Sequence, residues 1–318
     1  MRILVTGASG VIGQRAVPLM LASGHQITAL GRSRDRLARL AQKGVTATIV
    51  DLFDPVAIRN AMAGHDAVVN LATHIPGSFV RTFIPGAWAE NDRIRKVGSS
   101  ILADAAIELG VPRFVQESFA LTYPDSGANW VDETIAVQPT RYNRTVLDAE
   151  ASAMRVTRAG ACGVALRFAL LYGPGDRFTR EVFHYVARGW IPLLGRPDGY
   201  VSMVTQDDAA SAVVAALKAP AGVYNVVDDE PLTRRELGDT IASIIGARPP
   251  KLPPAWLARF GGSIGDTLAR SLRLSNRKLR ATGLWEPRYS SGLEGWRAAS
   301  VAFEAFAGAA DGARHFET

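Results

Sequence analysis

The chain opens Met1-Arg-Ile-Leu-Val-Thr-Gly-Ala-Ser-Gly-Val-Ile-Gly13, and the reading of this stretch decides the fold. Ile3, Leu4 and Val5 form a short apolar run of the kind a fully buried strand shows. The run enters Thr6-Gly7-Ala8-Ser9-Gly10-Val11-Ile12-Gly13 without a break, and a helical pattern follows at Ala16, Val17, Leu19, Met20 and Leu21. Strand, glycine turn and helix in this order are the context in which a glycine motif signifies dinucleotide binding. Gly7 permits the tight turn, Gly10 lets backbone approach a pyrophosphate, and Gly13 lets the helix pack close to the strand. The helix start presents free N–H groups and a partial positive charge to phosphate. Ser9, Val11 and Ile12 belong to the same expected phosphate-facing turn.

Further strand-like runs alternate with helical ones, which predicts an α/β fold with a doubly wound, mostly parallel sheet. The second strand, Gln26 to Leu30, ends at Gly31-Arg32-Ser33-Arg34. An acidic residue at such a strand end would bond an adenosine ribose; here Arg32, Ser33 and Arg34 are suited to a 2′-phosphate, so NADP(H) is favoured over NAD(H). The third strand, Ala47 to Val50, leads to Asp51 and Leu52, and the fourth, Ala67 to Leu71, leads to Ala72, Thr73 and His74. The fifth, Arg113 to Gln116, leads to Glu117 and Ser118, and the sixth runs from Gly163 to Phe168. Ligands of open parallel sheets bind beyond the carboxyl ends of the strands, so these residues should surround one crevice. From about residue 174 the chain is richer in Pro, Trp and Gly, apart from a sheet-and-helix stretch between Tyr200 and Val227. The expected division is a dinucleotide-binding domain over 1–173 and 201–228, with a smaller, discontinuous substrate domain over 174–200 and 229–318.

The 318 residues, 47% of them hydrophobic, suffice for such a unit and its attachment. The net charge of +6 is carried mostly by scattered arginines, without the clustering of a nucleic-acid face, so the expected partner is a small molecule rather than nucleic acid. No stretch is long and apolar enough to span a bilayer, and the single Cys162 precludes an intramolecular disulfide and a cysteine-rich metal site. A cytoplasmic monomer or homodimer is the expectation.

Together these residues resemble the extended short-chain dehydrogenase/reductases, the NAD-dependent epimerase/dehydratase group. The resemblance rests on Thr6-Gly7-x-x-Gly10-x-x-Gly13, Asp51-Leu52, Asn70-Leu71-Ala72, Phe114-Val115, Tyr142 with Glu150, and Leu166-Arg167 before Tyr172-Gly173-Pro174-Gly175. It continues through Gln206-Asp207-Asp208-Ala209-Ala210 and Gly222-Val-Tyr-Asn-Val226. It implies that Asp51 and Leu52 touch the adenine, that Leu71, Ala72 and Thr73 line the ribose side, and that Phe168 sits near the nicotinamide. It makes Asp207-Asp208 the cap of the helix that follows.

The chain departs from this family where the chemistry is done. The family uses Ser or Thr, a Tyr, and a Lys four residues after the Tyr. The tyrosine exchanges a proton with the substrate oxygen, and the lysine cation lowers its pKa. Here Tyr142-Asn-Arg-Thr-Val146 has Val146 at the lysine position, and alignment of the fifth strand puts Phe119 at the Ser/Thr position, with Ser118 one residue earlier. Tyr142, Ser118, His74 and Glu117 are therefore the candidate catalytic residues. Arg144, two residues from Tyr142 on an expected helix, faces away from it. Sugar-nucleotide members carry an arginine near Val201 for the diphosphate; its absence favours a smaller or more apolar carbonyl compound. Three functions stay open: an NADP(H)-dependent oxidoreductase or epimerase acting on a carbonyl or hydroxyl group with substitute residues, a non-redox cyclase or lyase on the same fold, and an NADP(H)-sensing protein without turnover.

Overall fold

The computed structural model describes residues 1–76, 79–84, 86–174 and 176–301. Gly175 of the glycine-proline motif and the end of the expected substrate domain lie outside the described residues. Seven parallel strands form the main sheet: β1 Arg2–Thr6, β2 Gln26–Gly31, β3 Thr46–Ile49, β4 Ala67–Asn70, β5 Arg113–Phe119, β6 Cys162–Phe168 and β7 Gly222–Val226. Their spatial order is β3-β2-β1-β4-β5-β6-β7, every pair parallel. The order reverses between β1 and β4, and that switch point opens the crevice at the strands' carboxyl ends.

Helices cover both faces. Gly13–Ala22 (α1), Arg34–Ala41 (α2), Pro55–Met62 (α3), Ala89–Arg93 (α4), Ser99–Glu108 (α5) and Val146–Arg158 (α6) belong to the first half of the chain. Arg177–Ala187 (α7), Gln206–Ala216 (α8), Arg234–Ile244 (α9) and Gly262–Ala269 (α10) follow. One apolar cluster joins Ile3, Val5, Val69, Val115 and Leu166 of the sheet to Ala16, Val17 and Met20 of α1 and to α8. A second joins Leu4, Val68 and Phe114, the alternate residues of the same strands, to α3, α5 and α6. This alternation is the period of two of a strand covered on both sides. A third cluster, built from Tyr172, Phe183, Ile191, Met203, Leu237, Ile241 and Trp296, is the core of the C-terminal elements.

Two boundaries differ from expectation and matter for the site. β5 runs three residues beyond Gln116, because its pairing with β6 continues through Phe119 and Phe168. Glu117 and Ser118 are thus strand residues, not loop residues. Tyr142 lies in a turn rather than a helix, since α6 begins only at Val146. Buried Asn143 holds that turn: its Oδ1 accepts from Thr140 N–H at 2.8 Å, and its Nδ2 donates to Leu121 O at 2.8 Å. Helical spacing therefore does not govern Arg144, which is exposed. The cap of α8 is also not an aspartate: Thr205 Oγ1 accepts from Asp208 N–H at 3.1 Å.

Candidate active site

The site begins at the turn between β1 and α1. Gly7 has φ +70°, and a Cβ there would stand 2.3 Å from Leu71 O. A Cβ on Gly13 would stand 2.3 Å from Gly7 O. The loop after β4 and the start of α1 thus press on the same turn from two sides, and both contacts are with backbone that cannot step aside. No side chain caps α1, and its first turn carries no acidic residue. Gln14 N–H bonds Gly10 O and Arg15 N–H bonds Ile12 O, so the N–H groups left for an anion are those of Val11, Ile12 and Gly13. Gly10 and Val11 are exposed beside it, with Val11 46% accessible, whereas Ile12 is buried. These features form a backbone cradle of a shape that admits a pyrophosphate.

Next to the cradle a cavity of about 170 Å³ is lined by Ala8, Ser9, Gly31, Arg32, Ser33 and Arg36, among others. It holds guanidinium and hydroxyl groups and no carboxylate in its lining. Arg34 is not part of it; Arg36, the third residue of α2, is. Arg32 also reaches Glu90 at 3.0 Å while its side chain stays 61% exposed, an ion pair too open to resist a competing phosphate. Asp51 is exposed and accepts from Phe53 N–H, and Leu52 packs toward Gly98. Leu71 is buried, Ala72 and Thr73 are half-buried at the switch point, and Phe168 is buried at the end of β6.

Below the crevice, polar side chains clamp the strand ends. Thr6, Asn70 and Gln116 share one register level across β1, β4 and β5. Thr6 Oγ1 donates to Asn70 Oδ1 at 2.5 Å, and Asn70 Nδ2 donates to Gln116 Oε1 at 2.8 Å. Ser118, Arg167 and Asn225 share another level across β5, β6 and β7. Ser118 Oγ donates to Glu150 Oε1 at 2.5 Å, and Arg167 grips both oxygens of Glu150 at 2.7 Å. Arg167 Nη1 donates to Tyr123 OH at 2.7 Å, which donates to Asn225 Oδ1 at 2.9 Å. Ser118 is fully buried, so its hydroxyl is committed to this network rather than turned to the crevice.

The chemistry-bearing cluster lies elsewhere. Trp88, Asp92 and Arg95 sit at i, i+4 and i+7, the spacing of one helical face, along α4 and the π-helical turn Ile94–Gly98 that continues it. Trp88 meets the Tyr142 ring edge-on at 4.7 Å, and Thr145 Oγ1 donates to Asp92 Oδ1 at 2.7 Å. Arg95 Nη2 donates to Glu117 Oε1 at 2.9 Å, with both side chains buried. Three buried atoms here have no partner among the described residues: Arg95 Nε, Glu117 Oε2 and Asn91 Nδ2. Burial pushes the Tyr142 phenol well above its ordinary range; Arg95 draws it back, and Asp92 and Glu117 push it further up. His74 is exposed on the loop after β4, its backbone N–H held by Asn91 Oδ1 at 2.9 Å.

The structure therefore sets the Tyr142 turn against the stretch whose Arg95 is paired with Glu117, leaves His74 exposed, and commits Ser118 to the Glu150 network. It adds Arg95 and Asn91, which no motif in the sequence singled out. An arginine within a mixed helical stretch carries no signature until β5 and the Tyr142 turn are folded against it.

At Val201 the side chain is buried in the third apolar cluster, so no cation occupies that point. Arg177 and Arg196 each pair with an acid on their own segment, Glu181 and Asp198. Beside the Tyr142 turn, Thr140 Oγ1 lies 2.7 Å from Thr267 Oγ1 of α10. The preceding segment Ala255–Gly261 carries Trp256, Arg259 and Phe260, with Trp256 and Phe260 largely exposed and both rings beneath the Arg259 guanidinium. Among the described residues, no helix is long and apolar enough to cross a membrane.

Comparison with known proteins agrees with this geometry. The model of the NAD dependent epimerase/dehydratase family matches residues 3–227. A 3-diazoavenalumate denitrifying reductase from Streptomyces sp is 31% identical over 306 residues, covering 93% of this chain and 99% of that protein. A 2-alkyl-3-oxoalkanoate reductase from Stenotrophomonas maltophilia is 29% identical over 265 residues, 78% of this chain and 76% of that one. Among solved structures, the UDP-glucose 4-epimerase of Thermus thermophilus in complex with NAD superposes with a TM-score of 0.74 at 25% identity, covering 96% of this chain and 99% of that one. A human epimerase family protein with NADPH shares the fold, with a TM-score of 0.76 at 21% identity over 94% of this chain and 99% of that one. With its seven-stranded parallel sheet, its glycine cradle and a relative matched over almost the whole of both chains, this protein is an enzyme of the NAD-dependent epimerase/dehydratase family, of the NAD(P)-dependent oxidoreductase and epimerase type.

Proposed function

We propose that the protein is an NADP(H)-dependent reductase of a small carbonyl compound of apolar or aromatic character, with Tyr142 as proton donor. The observation that carries the reading is a chain of contacts: the loop after β4 presses on the glycine turn at Leu71 and is held at His74 by Asn91, and the same helical stretch sets Trp88 on the Tyr142 ring. Gly7, Gly10, Gly13, Ser9, Val11 and Ile12 hold the pyrophosphate, and Arg32, Ser33 and Arg36 take the 2′-phosphate in the cavity at the end of β2. Asp51 and Leu52 border the adenine, and Leu71, Ala72, Thr73 and Phe168 line the path to the nicotinamide. A reduced dinucleotide bound there would supply the hydride that the carbonyl carbon takes up. Tyr142 supplies the proton to the carbonyl oxygen: its O–H bond breaks, the alcohol O–H forms, and the phenolate regains a proton from water. Arg32, with Arg36, favours NADP(H) because a guanidinium fork matches phosphate geometry.

The relatives named as reductases support reduction over the non-redox alternative. The missing cation at Val201 and the exposed Trp256 and Phe260 support an apolar or aromatic substrate over a nucleotide sugar. The elements over 1–173 and 201–228 serve the dinucleotide, and those over 174–200 and 229–301 serve the substrate.

The test has two steps. Purified protein titrated with NADPH and with NADH, read by quenching of its tryptophans, should bind NADPH at least about tenfold more tightly, and Arg32→Asp should remove that preference. Turnover of NADPH with a panel of alkyl and aryl ketones should then fall about a hundredfold or more in Tyr142→Phe with the NADPH affinity unchanged. Failure to bind either dinucleotide overturns the reading, and full activity of Tyr142→Phe overturns the role of Tyr142.

A further inference from the structure

Tyr142 lacks the lysine that its turn should carry, since Val146 is buried in that place. A buried phenol with no cation beside it holds its proton too tightly to deliver it, because the phenolate left behind is neither solvated nor paired. The remedy must come from an element outside the Tyr142 turn. Arg141 and Arg144 flank the tyrosine, but both are exposed.

The stretch that crosses the turn is α4 with its π-helical continuation. Trp88 lies against the ring, Asp92 is bonded to Thr145, and Arg95 is next on the same face. π-turns insert one residue into a helix and recur where a side chain has been re-aimed for function. Glu117, at the carboxyl end of β5, fixes the Arg95 guanidinium by a single contact of 2.9 Å. That contact leaves Arg95 Nε and Glu117 Oε2 buried without a partner among the described residues. A pair retained for stability alone would be closed on both sides, because an unpartnered buried polar atom is destabilising.

We propose that Arg95, held in place by Glu117, is a positioning residue that supplies at Tyr142 the fixed positive charge the absent lysine would provide. This rests on the reading of Tyr142 as the proton donor. Arg95 acts through the tyrosine: it stabilises the phenolate formed as the proton leaves, while Glu117 limits how far that charge is felt. The charged groups that act on the phenol are Arg95 and Asp92 from α4 and its continuation and Glu117 from β5, the cation drawing its pKa down and the two carboxylates pushing it up. Arg95 is the cation among them, so its removal must make the phenol harder to ionise, and removal of Glu117 must make it easier.

The experiment measures that ionisation directly, without substrate or dinucleotide. 3,5-Difluorotyrosine, a more acidic phenol than tyrosine, is placed at position 142 in the full chain, and its midpoint is followed by fluorine NMR. Arg95→Met should raise the midpoint by about one pH unit or more, Arg95→Lys should leave it within about half a unit, and Glu117→Gln should lower it. Arg95→Met strands a buried carboxylate and can fail to fold. The double variant Arg95→Gln with Glu117→Gln avoids this, since two amides can bond in place of the ions. Its midpoint should lie above that of Glu117→Gln alone. Equal midpoints in those two variants, or an equal rise in Arg95→Lys and Arg95→Met, would overturn the proposal. Loss of the role of Tyr142 in turnover would instead sink the catalytic reading while leaving the measured coupling intact.

Discussion

Two buried arginine–glutamate pairs sit at the carboxyl end of the sheet, and they are built differently. Arg167 and Glu150 form a closed network: both carboxylate oxygens are gripped, Tyr123 and Ser118 complete the shell, and Asn225 extends it to the next strand. Arg95 and Glu117 form an open one, with a single contact and one unpartnered atom on each side chain. Burial is nearly the same for the two pairs. The difference is hydrogen-bond completeness, which separates charge used as scaffold from charge kept available. The closed pair joins α6 to β6 and fixes the height of the strand ends. The open pair sits on the stretch whose Trp88 and Asp92 meet the Tyr142 ring and Thr145.

The sharpest way to break this comparison is Arg167→Met. Removing one partner of a closed buried pair leaves Glu150 uncompensated, and urea unfolding should show a loss of about 3–5 kcal/mol. A loss below about 1 kcal/mol would mean that the network is not the scaffold its geometry implies. A third buried carboxyl, Asp228, has no cation partner among the described residues. Burial and the nearby Asp229, Asp208 and Glu230 raise its pKa well above the ordinary range, and its Oδ1 has no partner among the described residues. The folded state thus binds this proton more tightly than the unfolded chain. The associated stability is complete below the pKa of an unfolded aspartate and is lost as pH rises toward the folded value. Asp228→Asn should gain on the order of 1 kcal/mol near neutral pH and flatten the dependence of Tm on pH, one pKa unit being worth about 1.4 kcal/mol. An unchanged slope would show that the carboxyl is not held protonated. The smallest effect is expected from Ser118→Ala. It should lower stability by about 1 kcal/mol while turnover stays within about threefold. A hundredfold loss of kcat at unchanged stability would move Ser118 from the closed network into the catalytic set.

The glycine turn was legible because its constraints are local. Gly7 and Gly13 are demanded by backbone approaching backbone within one strand–turn–helix unit, and the spacing of the glycines records this directly. The strands were legible for the same reason, as apolar runs between turn signals. Their ends were not, because β5 continues through Glu117 and Ser118 only by pairing with a strand more than forty residues away. A period of two then sends neighbouring side chains to different neighbours, so Ser118 joins Glu150 while Glu117 meets Arg95. The cavity at the end of β2 was half legible: Arg32 and Ser33 line it, but the first turn of α2 brings Arg36 rather than Arg34 into its lining.

What the sequence determined by itself is the class of molecule: a doubly wound sheet, a dinucleotide turn, and a tyrosine without its lysine. These are statements about local backbone geometry and residue type, which short-range sterics and periodicity encode. What only the tertiary structure decided is which charge serves that tyrosine. Electrostatic partnership depends on distance through space and on exclusion of water, and neither exists until the helix bearing Arg95, the end of β5 and the Tyr142 turn are packed together.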